Sequence, residues 1–271
     1  MFTTPRVRAV LACAMALTAG LTLTSSVVGC DSASPPRSPA SSTAASGGGA
    51  ASTARPVVSR GTAPARCPAT AYGARTYAPG SSKTVALTFD DGPGRSTQAI
   101  LTILARYRVP ATFFNIGAAM VTRPWLVREE VTDGYAMGNH TWNHLDLVKL
   151  SAAQQTAEMS EASAEQRSIT GTVPCAFRPP YGDYDATTLR LAQQLKMNVW
   201  IWSVDTLDWM ANGSASPYWV HHIIQLAEQG GTLPHPILLM HNARPGDPAT
   251  VAALPAIIQF YRSRGYRFVA L

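Results

Sequence analysis

From residue 81 to the C-terminus, short apolar runs alternate with longer helix-like segments, and this rhythm leaves few folds open. Strands are expected at 85–89 (VALTF), 111–116 (ATFFNI), 135–138, 175–177, 198–204 (NVWIWSV), 237–240 (ILLM) and 266–270 (YRFVA). Helices are expected near 96–107, 124–132, 151–168, 186–195, 217–229 and 250–263. Ser151 suits a helix N-cap, and Pro124 and Pro217 suit first helical turns. Strands and helices in alternation imply a parallel sheet. About seven strands in so short a stretch predict an α/β fold of the distorted or incomplete (β/α) barrel type, rather than an open doubly wound sheet. No glycine fingerprint for a dinucleotide or a Walker-type phosphate loop is present.

The residues before 81 read differently. Residues 1–30 look like an export signal: Arg6 and Arg8 precede the apolar run AVLACAMALTAGLTLTSSVV. The run ends in VVGC, so Cys30 is the expected lipidation site of a lipoprotein-type signal, with an ordinary cleaved signal as the alternative. Thr and Ser interrupt the run, which argues against a permanent transmembrane helix. Residues 31 to about 66 are Ser, Ala, Pro, Gly and Thr with few large apolar residues, a tether that cannot bury a core. Residues 67–80 are transitional, so the linker is drawn as 31–80 and the folded domain as 81–271. Cys67 and Cys175 are the cysteines left for the exported part and can pair there.

The net charge of +6 belongs to the leader and the linker. From residue 81 onward 15 Lys and Arg face 15 Asp and Glu, so the domain is neutral and no nucleic-acid partner is expected.

Polar clusters sit just past the ends of five expected strands. Asp90 and Asp91 follow VALTF, His140 and His144 follow YAMGN, Arg178 follows CAF, Asp205 follows NVWIWSV, and His241 follows ILLM. In an α/β barrel the C-terminal strand ends share one face, where active sites lie. Adjacent carboxylates raise each other's pKa and cost stability unless a cation or a chemical task uses them. Read alone, Asp91-Gly92 is also an ordinary turn start. The spacing in HTWNH lets both imidazoles share one side of a helical turn and hold one cation. The position after His140 is Thr141, so this is not the metalloprotease motif. Asp91 is the natural third ligand, leaving positions open for water.

Taken in order, TFDDGP, HTWNH, RPPYG, DTLDW and LMH resemble the five motifs of the polysaccharide deacetylase family, also called the NodB-homology or carbohydrate esterase four family. The resemblance covers about residues 83–271. It implies that Asp91, His140 and His144 bind a divalent cation, zinc or another such as cobalt. It implies that Asp90 is the general base, that Arg178 pairs with Asp90, and that the Tyr181 N–H helps to bind the oxyanion. His241 is then the general acid, with Asp208 as its carboxylate partner; Asp205 is open between a structural and a catalytic reading. Trp209, Leu239 and Pro180 are implied as substrate-binding residues, Trp209 and Leu239 lining the acetyl pocket. Trp142, Trp200 and Trp202 are expected to pack, and Arg244 to touch substrate or simply occupy a surface loop.

The expected activity is removal of acetyl groups from N-acetylglucosamine units of peptidoglycan or a chitin-like chain, by an exported, membrane-tethered enzyme with no protein partner. The rivals are an O-acetyl esterase acting on xylan, a catalytically silent carbohydrate-binding lipoprotein, and a transporter's substrate-binding protein.

Overall fold

A computed structural model describes residue 67 and residues 71–243 and 247–271. The export signal with Cys30, the tether to residue 66 and Arg244 lie outside the described residues.

Nine strands are found among the described residues: β1 (Ala74–Arg75), β2 (Thr84–Gly92), β3 (Thr112–Asn115), β4 (Ala136–Asn139), β5 (Ala176–Phe177), β6 (Asn198–Trp200), β7 (Val204–Asp205), β8 (Ile237–His241) and β9 (Arg267–Phe268). Between them run α1 (Thr97–Tyr107), α2 (Gly117–Thr122), α3 (Pro124–Thr132), α4 (Ala152–Thr170), α5 (Ala186–Gln194), α6 (Pro217–Gln229) and α7 (Asp247–Ser263). The sheet order is β1-β6-β5-β4-β3-β2-β8-β7, with β9 added to β2. Its pairings are parallel. This is the distorted (β/α) barrel that the alternation predicts.

β2 is buried at every residue, because helices cover one of its faces and the barrel interior covers the other. Val85, Leu87 and Phe89 point outward into the main core, with Leu101 and Leu104 of α1 and Leu254, Ile257 and Ile258 of α7. Burying each such side chain stabilises by roughly 1.5–3 kcal/mol, so this layer anchors the barrel wall. The alternate residues point inward: Ala86 joins an inner cluster with Phe114, Ala176, Trp200 and Ile237. Thr88 and Asp90 continue that inward column toward the strand's C-terminal end.

The run NVWIWSV, which reads as one strand, is two. β6 pairs with β5 near one edge of the sheet, and β7 pairs with β8 at the other. Residues 201–203 cross between them. The Ile201 N–H donates to the Arg75 carbonyl, whereas the Ser203 N–H donates to the Ile237 carbonyl. Periodicity does not show this change of partner, because Ile201 and Trp202 carry the apolar run of Val199 and Trp200 on into the crossing. Helix α2 also escapes the sequence pattern, being six residues long and starting at Gly117.

Three helix starts are fixed as local chemistry predicts. Ser151 caps α4 in a reciprocal box with Gln154, and Pro124 and Pro217 open α3 and α6. A disulfide joins Cys67 to Cys175 across 108 residues. With β1 it carries the described fold N-terminal to residue 81, where the sequence texture changes. Among the described residues no helix is long and apolar enough to cross a membrane.

Candidate active site

In a regular strand, adjacent side chains face opposite sides, so Asp90 and Asp91 should not meet in one cavity. They do, because β2 bulges. Asp90 pairs with Phe114 and Gly92 pairs with Asn115, leaving Asp91 as the extra residue. Its φ is 69°, in the left-handed region. The bulge turns the Asp91 carboxylate to the same side as Asp90: His140 Nε2 lies 3.7 Å from Asp90 Oδ2 and 3.4 Å from Asp91 Oδ1. Gly92 is needed here, since a Cβ would sit 2.4 Å from the Asn242 side chain and 2.6 Å from that of Asn115.

His140 and His144 are brought together by a loop rather than by the helical turn expected from their spacing. Thr141 (φ 66°) and His144 (φ 59°) both occupy the left-handed region, at a cost of order 1–3 kcal/mol each. The Thr141 N–H donates to Asn139 Oδ1 at 2.7 Å, and the His144 N–H donates to Thr141 Oγ1 at 3.0 Å. The ring of His144 packs edge-on against His140 and Tyr181.

Asp91, His140 and His144 each offer an atom within 4.8 Å of the other two. His144 Nε2 lies 3.2 Å from Asp91 Oδ1. His140 Nδ1 lies 2.7 Å from the Arg178 carbonyl, which can only accept. In the neutral tautomer that bond fixes, Nε2 turns its lone pair toward the carboxylates, as a metal-binding imidazole does. Two imidazoles and one carboxylate fit zinc or a similar divalent cation and leave positions open. Burial works against the charge of Asp91. When the histidine rings are protonated, the hydrogen bond with His140 and the charges of His140, His241 and His144 outweigh it, and hold the carboxyl well below the usual carboxylate range.

Asp90 faces a different partner. Arg178 is fully buried and its Nη1 donates to Asp90 Oδ1 at 2.8 Å and to Thr88 Oγ1 at 2.7 Å. Its Nε donates to the Trp200 carbonyl, and the guanidinium stacks 4.2 Å from the Phe114 ring centroid. Burial draws the guanidinium pKa below its ordinary value, and the Asp90 carboxylate counters it.

On the other side stands His241, at the end of β8. Its Nδ1 lies 2.7 Å from Asp208 Oδ1. Asp208 is fully buried, and its Oδ2 accepts from the His241 N–H and from Thr250 Oγ1. Burial alone would lower the His241 pKa. The charge and hydrogen bond of Asp208, with the charges of Asp91 and Asp90, raise it to about 9.

Asp90, His140, His144 and His241 line a cavity of about 250 Å³ with Tyr181, Trp202, Asp205, Trp209 and Leu239. Asp90, His140, His144, Tyr181, Trp209, Leu239 and His241 are therefore brought together at one cavity. Pro180 is buried and is not among the lining residues. Trp202, expected only to pack, forms part of the wall while also lying 5.8 Å from the Arg178 guanidinium. Asp205 lines the cavity and accepts the Leu207 N–H at 2.8 Å, holding the left-handed turn (φ 53°) that precedes Asp208.

Comparison with known proteins agrees with this geometry. The polysaccharide deacetylase family model matches residues 77–200. A peptidoglycan-N-acetylglucosamine deacetylase of Bacillus cereus is 34% identical over 191 residues, covering 69% of this chain and 69% of the relative. The chain belongs to the polysaccharide deacetylase family. A second relative, the peptidoglycan-N-acetylglucosamine deacetylase PgdA of Listeria monocytogenes, is 33% identical over 192 residues. That match covers 70% of this chain but only 38% of the Listeria protein. A crystal structure of a peptidoglycan N-acetylglucosamine deacetylase, bound to 4-naphthalen-1-yl-N-oxidanyl-benzamide, superimposes with a TM-score of 0.68 and 31% identity. It covers 74% of this chain and 91% of that one.

Several supports of this site carry no sequence signal of their own. Thr250 reaches Asp208 from α7, Asn139 holds the loop at Thr141, and Glu158 reaches the same loop from α4. Each lies in a stretch whose local pattern is that of an ordinary helix or strand.

Proposed function

We propose that this chain removes acetyl groups from N-acetylglucosamine units of a cell-wall polysaccharide, peptidoglycan first, in a metal-dependent hydrolysis. The observation that carries the proposal is the bulge in β2. It brings two adjacent carboxylates to the same histidine with different further partners, Asp90 against Arg178 and Asp91 against His140 and His144.

Asp91, His140 and His144 would hold zinc or another divalent cation, which supplies Lewis acidity to the acetyl carbonyl and to the attacking water. Asp90 takes the proton of that water as its oxygen bonds to the carbonyl carbon. Arg178 pairs with Asp90 and keeps it aimed. The Tyr181 backbone N–H donates to the oxyanion, a contact of a kind worth roughly 3 kcal/mol in the transition state. An amine leaves poorly unless protonated, and His241, held in its charged form by Asp208, gives it a proton as the C–N bond breaks. The products are acetate and the free amino sugar. Trp209 and Leu239 wall the acetyl methyl.

The chain acts outside the cytoplasm, tethered through Cys30 and the residues up to 80. The named relatives support the substrate class, and the leader and linker composition supports the placement. The test is a substrate panel. Acetate release is measured on peptidoglycan, N-acetylglucosamine oligomers and acetylxylan. Faster release from the amides is expected; release from acetylxylan alone would replace the amidase reading with that of an O-acetyl esterase.

A further inference from the structure

Glu158 lies on α4, outside the cavity, and belongs to none of the sequence motifs. Its carboxylate is buried, 7% exposed, and among the described residues no Lys or Arg pairs with it. Burying a carboxylate is costly unless hydrogen bonds compensate. Here they all come from the loop that carries the two histidines. Glu158 Oε2 accepts from the Trp142 N–H at 2.9 Å and from the Asn143 N–H at 2.8 Å, and Oε1 accepts from Asn143 Nδ2 at 3.1 Å.

The geometry points to Glu158 as a positioning residue for the metal ligands. This inference rests on the proposed metal role of His140 and His144. The two N–H groups belong to residues between those histidines, in a segment flanked by the left-handed Thr141 and His144. Successive N–H groups turned to one side form an anion-binding concavity, and here the chain fills it with its own carboxylate. The other face of the loop is fixed by backbone bonds from Gly117 and Ala118 to the carbonyls of Thr141 and Trp142. The indole of Trp142 lies so close to Gly117 that a Cβ there would meet its Cε3 at 2.3 Å. The loop is thus clamped between α2 and α4. Glu158 is the clamp on the α4 side, and it sets where His144 Nε2 stands relative to Asp91.

The test uses the full chain carrying Glu158→Ala, Glu158→Gln or Glu158→Asp, with Gln155→Ala as a control for a buried α4 residue whose hydrogen bonds go to Leu150 and Thr188. Gln keeps an oxygen for the two N–H groups, and Asp withdraws the carboxylate by one methylene. Zinc affinity is measured by competition with a chelating dye. Geometry is followed in the visible absorption bands of the cobalt-loaded protein. Amide exchange of Trp142 and Asn143 is measured without metal. Loss of such supporting partners costs about 10–100-fold in metal affinity. That loss is expected for Glu158→Ala, with altered cobalt bands and faster exchange at both amides. Glu158→Gln is expected to recover most of the affinity, and Gln155→Ala to leave it unchanged. Glu158→Asp carries the same test if the Ala variant does not fold. Wild-type zinc affinity in Glu158→Ala or Glu158→Asp, or an equal loss in Gln155→Ala, overturns the inference. If the wild-type chain takes up no zinc, the metal reading fails with its dependent, and the exchange rates alone decide whether Glu158 holds the loop.

Discussion

Replacing Asp208 by Asn removes one charge and keeps the size of the side chain. The structure fixes what should follow. His241 stands at about 9 instead of 6.5 because the charge and hydrogen bond of Asp208, aided by Asp91 and Asp90, overcome its burial. That difference corresponds to about 3 kcal/mol favouring the protonated ring. Without the Asp208 charge, burial acts with less opposition and the pKa falls toward 6.5 or lower. At pH 8 the protonated fraction drops from about 90% to about 3%, a loss of about 30-fold in the form able to protonate the leaving amine. Near pH 6 both proteins are mostly protonated and the rates should approach each other. The assay is acetate release from N-acetylglucosamine oligomers by zinc-loaded wild type and Asp208→Asn from pH 5.5 to 9.5, with thermal melts to show that both are folded. The alkaline limb should move down by more than one pH unit in the variant. An unmoved alkaline limb in a folded Asp208→Asn protein would refute the assignment of His241 as the acid held charged by Asp208.

Three further outcomes follow from the same structure. Asp90→Asn should keep stoichiometric zinc but lose at least ~10²-fold in turnover, read by metal analysis alongside acetate release. Glu130 is fully buried, and burial raises its carboxyl to about 8 despite the Asn115 hydrogen bond. The folded chain therefore holds a proton that the unfolded chain gives up near pH 4.5, so this contribution is complete below that pH. It is lost at up to about 1.4 kcal/mol per pH unit as pH rises to about 8; denaturant titrations should show Glu130→Gln flattening that slope. Cys67→Ser should cost roughly 2–5 kcal/mol of stability by opening the 108-residue crosslink, seen as a lower melting midpoint at unchanged zinc content.

How much of this could be read beforehand depended on the kind of physics involved. The parallel barrel was legible because buried strands such as VALTF and ILLM must be apolar on both faces, and helices must separate parallel strands. The placement of Asp90, His140, Arg178 and His241 was legible because polar residues following such strands collect at one face. The bulge was not, because nothing in TFDDGPG states that Asp91 is the extra residue rather than Asp90. The strand crossing at 201–203 was hidden for a related reason: hydrogen-bond partners change there while hydrophobicity does not. The loop at 140–144 was misread as a helical turn, since an i, i+4 histidine pair has the same spacing in both. Thr141, His144 and Tyr181 adopt positive φ without glycine, so tertiary contacts decide their conformation. Glu158, Asn139 and Thr250 act across the fold, and no local pattern marks them.

The central claim is that a metal held by Asp91, His140 and His144 is required for acetyl removal at this cavity. The most direct measurement strips the protein of metal, restores zinc in steps, and follows bound zinc and acetate release from N-acetylglucosamine oligomers together, in wild type and in His144→Ala. The account predicts no release from the stripped protein, recovery complete at about one zinc per chain, and no recovery at that zinc level in His144→Ala. Full release from the stripped protein, or wild-type zinc titration in His144→Ala, would contradict it.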